Sequence, residues 1–243
     1  MAFHFLRFTV EDKQSTLRVG TDSMLLGSWA NPGTAGRILD IGTGCGVLAL
    51  MMAQKSIAAI DAIDIDMPSV TEAAANFSGS PWPSRITAIH ASLQAFSCDA
   101  TAVYDFIITN PPYFSNSLKS PKVRVNHTRH DESLPLSALA RHASHLLTTD
   151  GRFTLVLPSD AASRFRKICA GYGLHLSRCL DIYPRPEKLP KRTLMEFTKD
   201  RISDPESSSL TILDEPGKFT PEYLALTEGF HNFEHVCRVN TYK

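Results

Sequence analysis

The sequence predicts an α/β protein with one mainly parallel sheet and helices on both of its faces. Three observations support this. From about residue 37 onward, segments of strand character alternate with segments of helix character. A glycine-rich turn from Gly42 to Gly46 follows the first strand, and the last two strands are joined by a link too short for a helical crossover. Such alternation is typical of parallel sheets, and the short link makes the final pair antiparallel.

Seven strands and four helices are predicted in this region. Apolar and β-branched runs place the strands at 37–41, 58–64, 85–90, 104–109, 153–157, 174–182 and 193–198. Apolar residues with helical period place the helices at 47–54, 70–77, 136–147 and 161–171. Asp150 and Gly151 are predicted to turn the chain into the fifth strand.

The 243 residues are predicted to form a single domain, 1–243, whose core spans 37–199. Residues 1–36 are an N-terminal extension in which 21–26 are the capped start of a helix. Residues 200–243 are a C-terminal addition: a polar loop at 200–209, then a strand at 210–213 and a helix at 221–231.

The composition excludes several classes of protein. Hydrophobic residues make up 43% and charged residues 21%, as in ordinary globular proteins. There is no long apolar run and no secretory signal, so we expect a cytoplasmic protein without a membrane partner. The five cysteines are scattered, which predicts neither a disulfide framework nor a zinc cluster. The balance of 25 basic and 25 acidic residues argues weakly against a nucleic-acid binder but does not exclude a local basic face.

The turn after the first strand is a candidate cofactor loop. Asp40, Gly42, Gly44 and Gly46 give the spacing D-x-G-x-G-x-G rather than the G-x-G-x-x-G of dinucleotide sites. Glycines permit close backbone approach and positive φ, and the acid suits a ligand that carries an ammonium group. The second strand ends in Asp64-Ile65-Asp66, where an acid can accept both hydroxyls of a ribose. Asp64 is the first choice, and Asp66 stays open.

Asn110-Pro111-Pro112-Tyr113 follows the buried strand 104–109 and therefore projects from the edge where ligands bind. A planar exocyclic nitrogen is a poor nucleophile because its lone pair is delocalised. The Asn110 side-chain oxygen and the Pro111 carbonyl can accept from its two N–H bonds and free that lone pair. The prolines stiffen the turn, and Tyr113 can stack on a flat group. The motif predicts methylation of a planar nitrogen without metal.

These residues resemble class I, Rossmann-like methyltransferases that carry Asn-Pro-Pro-Tyr and use S-adenosylmethionine. Further segments are similar to the bacterial tRNA1(Val) (adenine(37)-N6)-methyltransferase family: residues 18–29, 80–82, 129–131 and 189–194. The resemblance implies N6-methylation of adenine 37 in the anticodon stem-loop of a valine tRNA, by a protein expected to act as a monomer. It covers nearly the whole chain, from about Phe5 to Phe230.

The resemblance also implies roles for individual residues. The cofactor would be bound by Thr21, Asp22, Asp40, Gly42, Gly44, Gly46, Asp64, Ile65, Ser92, Leu93 and Asn110, with the N-terminal extension covering the site. Tyr113, Arg124, Arg129 and His130 would contact the RNA. Two positions depart from the family: Ser92 stands where related enzymes often have Asp for the cofactor adenine, and Asp131 replaces Glu.

Three alternatives remain open at this point. The planar nitrogen could be a protein glutamine or a guanine N2, although glutamine enzymes usually have a longer helical N-terminal domain. A nucleotide-binding oxidoreductase is opposed by the loop spacing, and a silent binding protein by the intact Asn110.

The basic residues from Lys119 to His130 could instead be a solvated loop. Paired histidines, such as His142 and His145, are expected to be packing or surface residues rather than metal ligands.

Overall fold

The computed structural model describes residues 2–15, 19–99, 103–112 and 134–231, which contain ten strands and seven helices. The strands are β1 (Ala2–His4), β2 (Thr9–Glu11), β3 (Arg37–Ile41), β4 (Ala59–Asp64), β5 (Ile86–His90), β6 (Tyr104–Thr109), β7 (Leu147–Pro158), β8 (His175–Tyr183), β9 (Arg192–Thr198) and β10 (Glu206–Thr211). The helices are α1 (Thr21–Trp29), α2 (Val47–Lys55), α3 (Met67–Ser78), α4 (Leu93–Asp99), α5 (Leu136–Leu146), α6 (Ser159–Gly171) and α7 (Pro221–Thr227).

Eight strands form one sheet in the order β10-β8-β9-β7-β6-β3-β4-β5, and β1 and β2 form a separate antiparallel hairpin. Strands β3 to β7 are mutually parallel. Strand β9 is antiparallel to both β7 and β8, and β10 runs parallel to β8. The predicted α/β class and the antiparallel pairing of the last two core strands are confirmed. The carboxyl ends of β3 to β8 meet at one edge of the sheet.

The seven predicted core strands correspond to β3 to β9, but the sheet has an eighth strand, β10, in a polar region where residues 200–209 were wrongly expected to be a loop. The second half of this segment belongs to β10, which pairs in register with β8 from Arg178 to Tyr183. The run Glu-Ser-Ser-Ser is exposed along most of its length, so no apolar pattern marks it. Pairing with the neighbouring backbone overrides the weak strand preference of these residues. Of the predicted strand 210–213, only residues 210 and 211 belong to β10.

The predicted turn at Asp150 and Gly151 is also wrong, because both residues lie inside β7. The register between β6 and β7 shifts there: Tyr104 pairs with Leu147, whereas Phe106 pairs with Arg152. The irregularity accommodates the extra residues without ending the strand.

Three elements near the N-terminal half were not predicted. Strands β1 and β2 have three residues each, too few for a period to be recognised. Helix α4 follows β5 directly and has seven residues. The helix predicted from residue 21 is α1, which begins after Gly20 as N-cap.

Both faces of the sheet are covered, and side chains along the central strands alternate between two apolar clusters. In β6, Phe106 and Ile108 face the cluster that includes side chains of α1, α2, α3 and α7. Ile107 faces the other cluster, to which α4, α5 and α6 contribute. None of the described helices combines the length and apolar character needed to cross a membrane.

Candidate active site

The glycine-rich loop joins β3 to α2 at the carboxyl edge of the sheet. Gly42, Gly44 and Gly46 all have positive φ, at 68°, 56° and 85°. A Cβ on Gly42 would have no atom within 4 Å, so this side of the loop faces open space. A Cβ on Gly46 would overlap the ring of Phe77 on α3. The loop is therefore packed on one side and open on the other, as a ligand cradle requires.

Asp40 lies beneath this loop and has no solvent exposure. Its Oδ2 accepts hydrogen bonds from the Thr43 hydroxyl at 2.6 Å and from the Ala49 N–H at 3.2 Å. Its Oδ1 is buried and has no hydrogen-bond partner. Burial raises the pKa of Asp40 from 3.8 to about 7, against the lowering effect of the two hydrogen bonds. An unsatisfied buried acceptor next to an open cradle fits a ligand that donates hydrogen bonds.

Asp64 and Asp66, the two candidate ribose acids, have different positions. Asp64 ends β4 and is 8% exposed. Its Oδ2 accepts from the Gly44 N–H at 2.8 Å, so it adjoins the glycine loop. Burial raises the pKa of Asp64, opposed by hydrogen bonds from the backbone of Asp66 and Gly44. Asp66 instead caps α3 and accepts from Ser69 N–H at 3.1 Å and Ser69 hydroxyl at 2.7 Å. The geometry favours Asp64.

The remaining predicted cofactor residues lie around Asp64. The side chain of Ile65 is 49% exposed, which is unusual for an isoleucine at the end of a buried strand. The Ser92 hydroxyl accepts from the Ala95 N–H at 3.2 Å at the start of α4. Leu93 packs in the core and is 4% exposed. An adenine contact at Leu93 would therefore come from its backbone rather than its side chain.

Asn110 follows β6 at the same edge, beside the end of β3. The Thr109 hydroxyl donates to the Ile41 carbonyl at 2.7 Å and ties the two strand ends together. Asn110 Nδ2 donates to the hydroxyl of Ser23 on α1 at 3.3 Å. Pro111 is buried and Pro112 exposed, so the motif passes from core to surface. Tyr113 lies outside the described residues.

Helix α1 brings two further groups to this edge. Asp22 Oδ2 forms an ion pair with Arg192 Nε at 2.7 Å, and both side chains are about one-third exposed or less. Thr21 is the first helical residue and is half-buried. The predicted cofactor residue Asp22 thus joins α1 to the start of β9. Sequence reasoning did not find the roles of Ser23 or of this ion pair, because their partners lie far away along the chain.

A basic turn joins β8 to β9 at the same edge, since β8 is parallel to β7. We call residues 184–191 the basic turn. Its exposed side chains include Arg185, Lys188 and Lys191, and Leu189 is 81% exposed. The predicted RNA contacts Arg124, Arg129 and His130 lie outside the described residues, as do Lys119, Lys122, His127 and Asp131.

Both His142 and His231 have partners within the protein. His142 Nδ1 lies 2.5 Å from the buried hydroxyl of Ser97, between α4 and α5. His231 Nε2 lies 3.4 Å from the hydroxyl of Tyr223. Within the described ranges, no group of three or more His, Cys, Asp or Glu side chains could hold a metal ion.

Two solved structures that share this fold are described as methyltransferases. A predicted O-methyltransferase from Agrobacterium tumefaciens has a TM-score of 0.65 at 20% identity and covers 86% of this chain and 96% of its own. A T. thermophilus 16S rRNA N2 methyltransferase in complex with S-adenosylmethionine and guanosine has a TM-score of 0.57 at 19% identity. The match covers 82% of this chain and 50% of that one. With a methyltransferase small domain matching residues 14–166, the fold and site define a class I, S-adenosylmethionine-dependent methyltransferase.

Three curated relatives show which family of methyltransferases this chain belongs to. The Parabacteroides distasonis protein is 39% identical over 229 residues, 94% of this chain and 97% of its own. The Bacteroides fragilis protein is 40% identical over 230 residues, which are again 94% of this chain and 97% of its own. The Edwardsiella ictaluri protein is 39% identical over 232 residues, which are 95% of this chain and 94% of its own. Each is named tRNA1(Val) (adenine(37)-N6)-methyltransferase. The chain belongs to this family.

Proposed function

We propose that this protein transfers a methyl group from S-adenosylmethionine to N6 of adenine 37 in tRNA1(Val), as a monomer in the cytoplasm. The names of the relatives support the substrate. The observation that carries the chemistry is Asn110 at the carboxyl end of β6, with its Nδ2 donating to Ser23. This hydrogen bond sets which end of the amide faces α1, and Oδ1 is the end that we assign to the acceptor nitrogen.

The cofactor supplies an electrophilic methyl group on a sulfonium. Asn110 Oδ1 and the Pro111 carbonyl accept the two N–H bonds of the adenine amine, which makes its nitrogen more pyramidal and its lone pair available. The nitrogen–carbon bond forms as the sulfur–carbon bond breaks, and the extra proton then passes to water. The rate comes from positioning and electrostatics rather than from a strong base. Tyr113 stacks on the adenine in this proposal.

Residues of the glycine loop and its neighbours hold the cofactor. Asp64 accepts the ribose hydroxyls, and the exposed Ile65 side chain contacts the adenine, whose edge meets Ser92 and the Leu93 backbone. The loop glycines Gly42, Gly44 and Gly46 let the backbone approach the amino-acid end of the cofactor. This end lies near Asp40 Oδ1, the buried oxygen without a hydrogen-bond partner. Thr21 and Asp22, at the start of α1, close the site over the amino-acid end of the cofactor.

The RNA contacts we propose are the basic turn and, from the family resemblance, Arg124, Arg129 and His130. The exposed cations of the basic turn suit the phosphates that flank a target base. Unpaired anticodon-loop bases are extruded at little energetic cost. The occupant we propose is therefore the anticodon stem-loop of the tRNA.

The deciding experiment incubates the purified protein with methyl-labelled S-adenosylmethionine and total tRNA, followed by digestion to nucleosides. We expect label in N6-methyladenosine, at position 37 when tRNA1(Val) is isolated. Label only in N2-methylguanosine, or only in glutamine of co-purified protein, would overturn the proposal in favour of another planar nitrogen.

The RNA surface has its own test, which compares the double variant Lys188→Gln/Lys191→Gln with Lys167→Gln on α6. Removing one lysine that binds a phosphate should lower the slope of log affinity against log salt by about 1. We expect the double variant to bind tRNA about tenfold more weakly with a shallower slope, and the α6 variant to bind like wild type. Equal binding by all three proteins would remove the basic turn from the surface.

A further inference from the structure

A buried carboxylate on α3 binds the segment that precedes α1. Glu72 is 7% exposed. Its Oε1 accepts from the N–H groups of Lys13 at 2.7 Å and Gln14 at 3.0 Å, and its Oε2 from that of Ser15 at 2.8 Å. Three successive N–H groups thus converge on one carboxylate, which holds this irregular backbone by charge-assisted hydrogen bonds.

One turn further along α3, Asn76 binds the same segment and also the cofactor loop. Its Oδ1 accepts from the Glu11 N–H at 3.0 Å, and its Nδ2 donates to the Glu11 carbonyl at 2.8 Å. Nδ2 also donates to the carbonyl of Cys45 at 2.8 Å. Because Cys45 stands between Gly44 and Gly46, this side chain bridges the N-terminal segment and the glycine loop.

The same face of α3 supports the glycine loop by packing. A Cβ on Gly46 would overlap the ring of Phe77 and lie 3.3 Å from the Cβ of Ala73. Residues 72, 73, 76 and 77 therefore form one face of a helix that is capped by Asp66. A single rigid element sets the distance between the loop and residues 11–15.

Residues 11–15 in turn limit where α1 can begin. They run along α3 toward its N-terminus, which lies at the carboxyl edge of the sheet. Asp12 Oδ2 accepts from the Val19 N–H at 3.3 Å, two residues before α1. The chain from residue 15 to residue 20 can span at most about 18 Å, so anchoring residues 13–15 restrains the helix that carries Ser23.

We propose that Glu72 and Asn76 are positioning residues of the cofactor site, which fix the N-terminal segment against the glycine loop so that α1 closes over bound S-adenosylmethionine. Neither side chain is assigned to touch the cofactor. The inference rests on cofactor binding at this loop, but not on the identity of the nucleic acid.

The test measures the affinity of the full-length protein for S-adenosylmethionine by calorimetry, in wild type, Glu72→Gln and the control Glu228→Gln. In Glu72→Gln one acceptor oxygen becomes a donor that opposes an N–H of residues 13–15. We expect its dissociation constant to rise about tenfold or more at a temperature where circular dichroism shows it folded, and the exposed control to match wild type. A dissociation constant of Glu72→Gln within twofold of wild type would refute the inference.

Hydrogen exchange on the wild-type protein gives a second readout that does not depend on a variant folding. We expect the amides of residues 13–15 and those of 42–46 to gain protection together when S-adenosylmethionine binds. Protection of 42–46 without any change at 13–15 would overturn the inference. Failure of the wild type to bind S-adenosylmethionine would instead overturn the cofactor assignment itself.

Discussion

The cofactor half and the acceptor half of the site are built differently. Around the ends of β3 and β4, the acids are buried and bonded to backbone N–H groups: Asp40 to Ala49, and Asp64 to Gly44. Around the ends of β6 and β8, the contacts are long-range side-chain pairs such as Asn110 with Ser23, beside an exposed basic turn. The acids of the cofactor half are held by backbone N–H groups, whereas Asn110 of the acceptor half is oriented by a side chain of α1.

The largest effect that tests this division is expected for Asn110→Ala. Loss of the acceptor oxygen should lower turnover about 100- to 1000-fold, as when one preorganised polar group is removed from an active site. Because Asn110 belongs to the acceptor half, the S-adenosylmethionine dissociation constant from calorimetry should stay within about threefold. A loss of cofactor binding comparable to the loss of turnover would contradict the assignment of Asn110.

Next in size is Gly46→Ala, which tests the rigid side of the cofactor loop. Its φ of 85° strains any L-residue, and the new Cβ overlaps the Phe77 ring. We expect urea denaturation to show a loss of about 3–4 kcal/mol in the free energy of unfolding.

Gly173→Ala is the matched control for this loss. Gly173 also has positive φ, 75°, but has open space around its Cβ position. It should cost only about 1 kcal/mol, the strain of the left-handed backbone alone. Equal losses in the two variants would show that packing against α3 does not hold the loop.

Asp40→Asn probes the burial of the cofactor half through pH. The pKa of Asp40 is about 7 in the folded protein, above its ordinary 3.8. Between these values the folded state binds more protons than the unfolded state, so wild-type stability falls as pH rises from about 4 to 7. The asparagine variant lacks this loss. We expect it to be about 4 kcal/mol more stable than wild type at pH 8 and similar at pH 4, as thermal unfolding across pH would show.

The same variant should bind S-adenosylmethionine more weakly, because the charge that suits the cofactor ammonium is gone. A stability difference that does not change with pH would show that Asp40 is not buried as described.

The smallest predicted effect is that of Ser23→Ala, which removes the hydroxyl that accepts from Asn110. One hydrogen bond contributes roughly 1 kcal/mol, so kcat should fall about five- to tenfold while the KM for S-adenosylmethionine stays near wild type. Ser28→Ala, a buried serine one turn or more further along α1, is the control. If both variants lower kcat equally, α1 acts through general stability and not through Asn110.

The features that could be predicted from the sequence belong mainly to the cofactor half, and those that were missed are mainly long-range contacts. The parallel core and the glycine loop could be predicted from short-range patterns, because each depends on residues within one strand–loop–helix unit, and the role of Asp64 stays a prediction. The Asp22–Arg192 pair and the bonds of Glu72 join positions far apart in the chain, so no local period marks them. Strand β10 was missed for a related reason, since its pairing with β8 and not its serine-rich composition makes it a strand.

The bridge between Phe5 and His231, with Leu6 N–H donating to the Phe230 carbonyl at 3.2 Å, has a consequence for how the protein is made. Synthesis proceeds from the N-terminus, so the β1–β2 hairpin emerges first yet obtains these partners last. Strands β3 to β6 can pair while translation continues. The β1–β2 hairpin is therefore fully held in place only when nearly all of the described chain has left the ribosome.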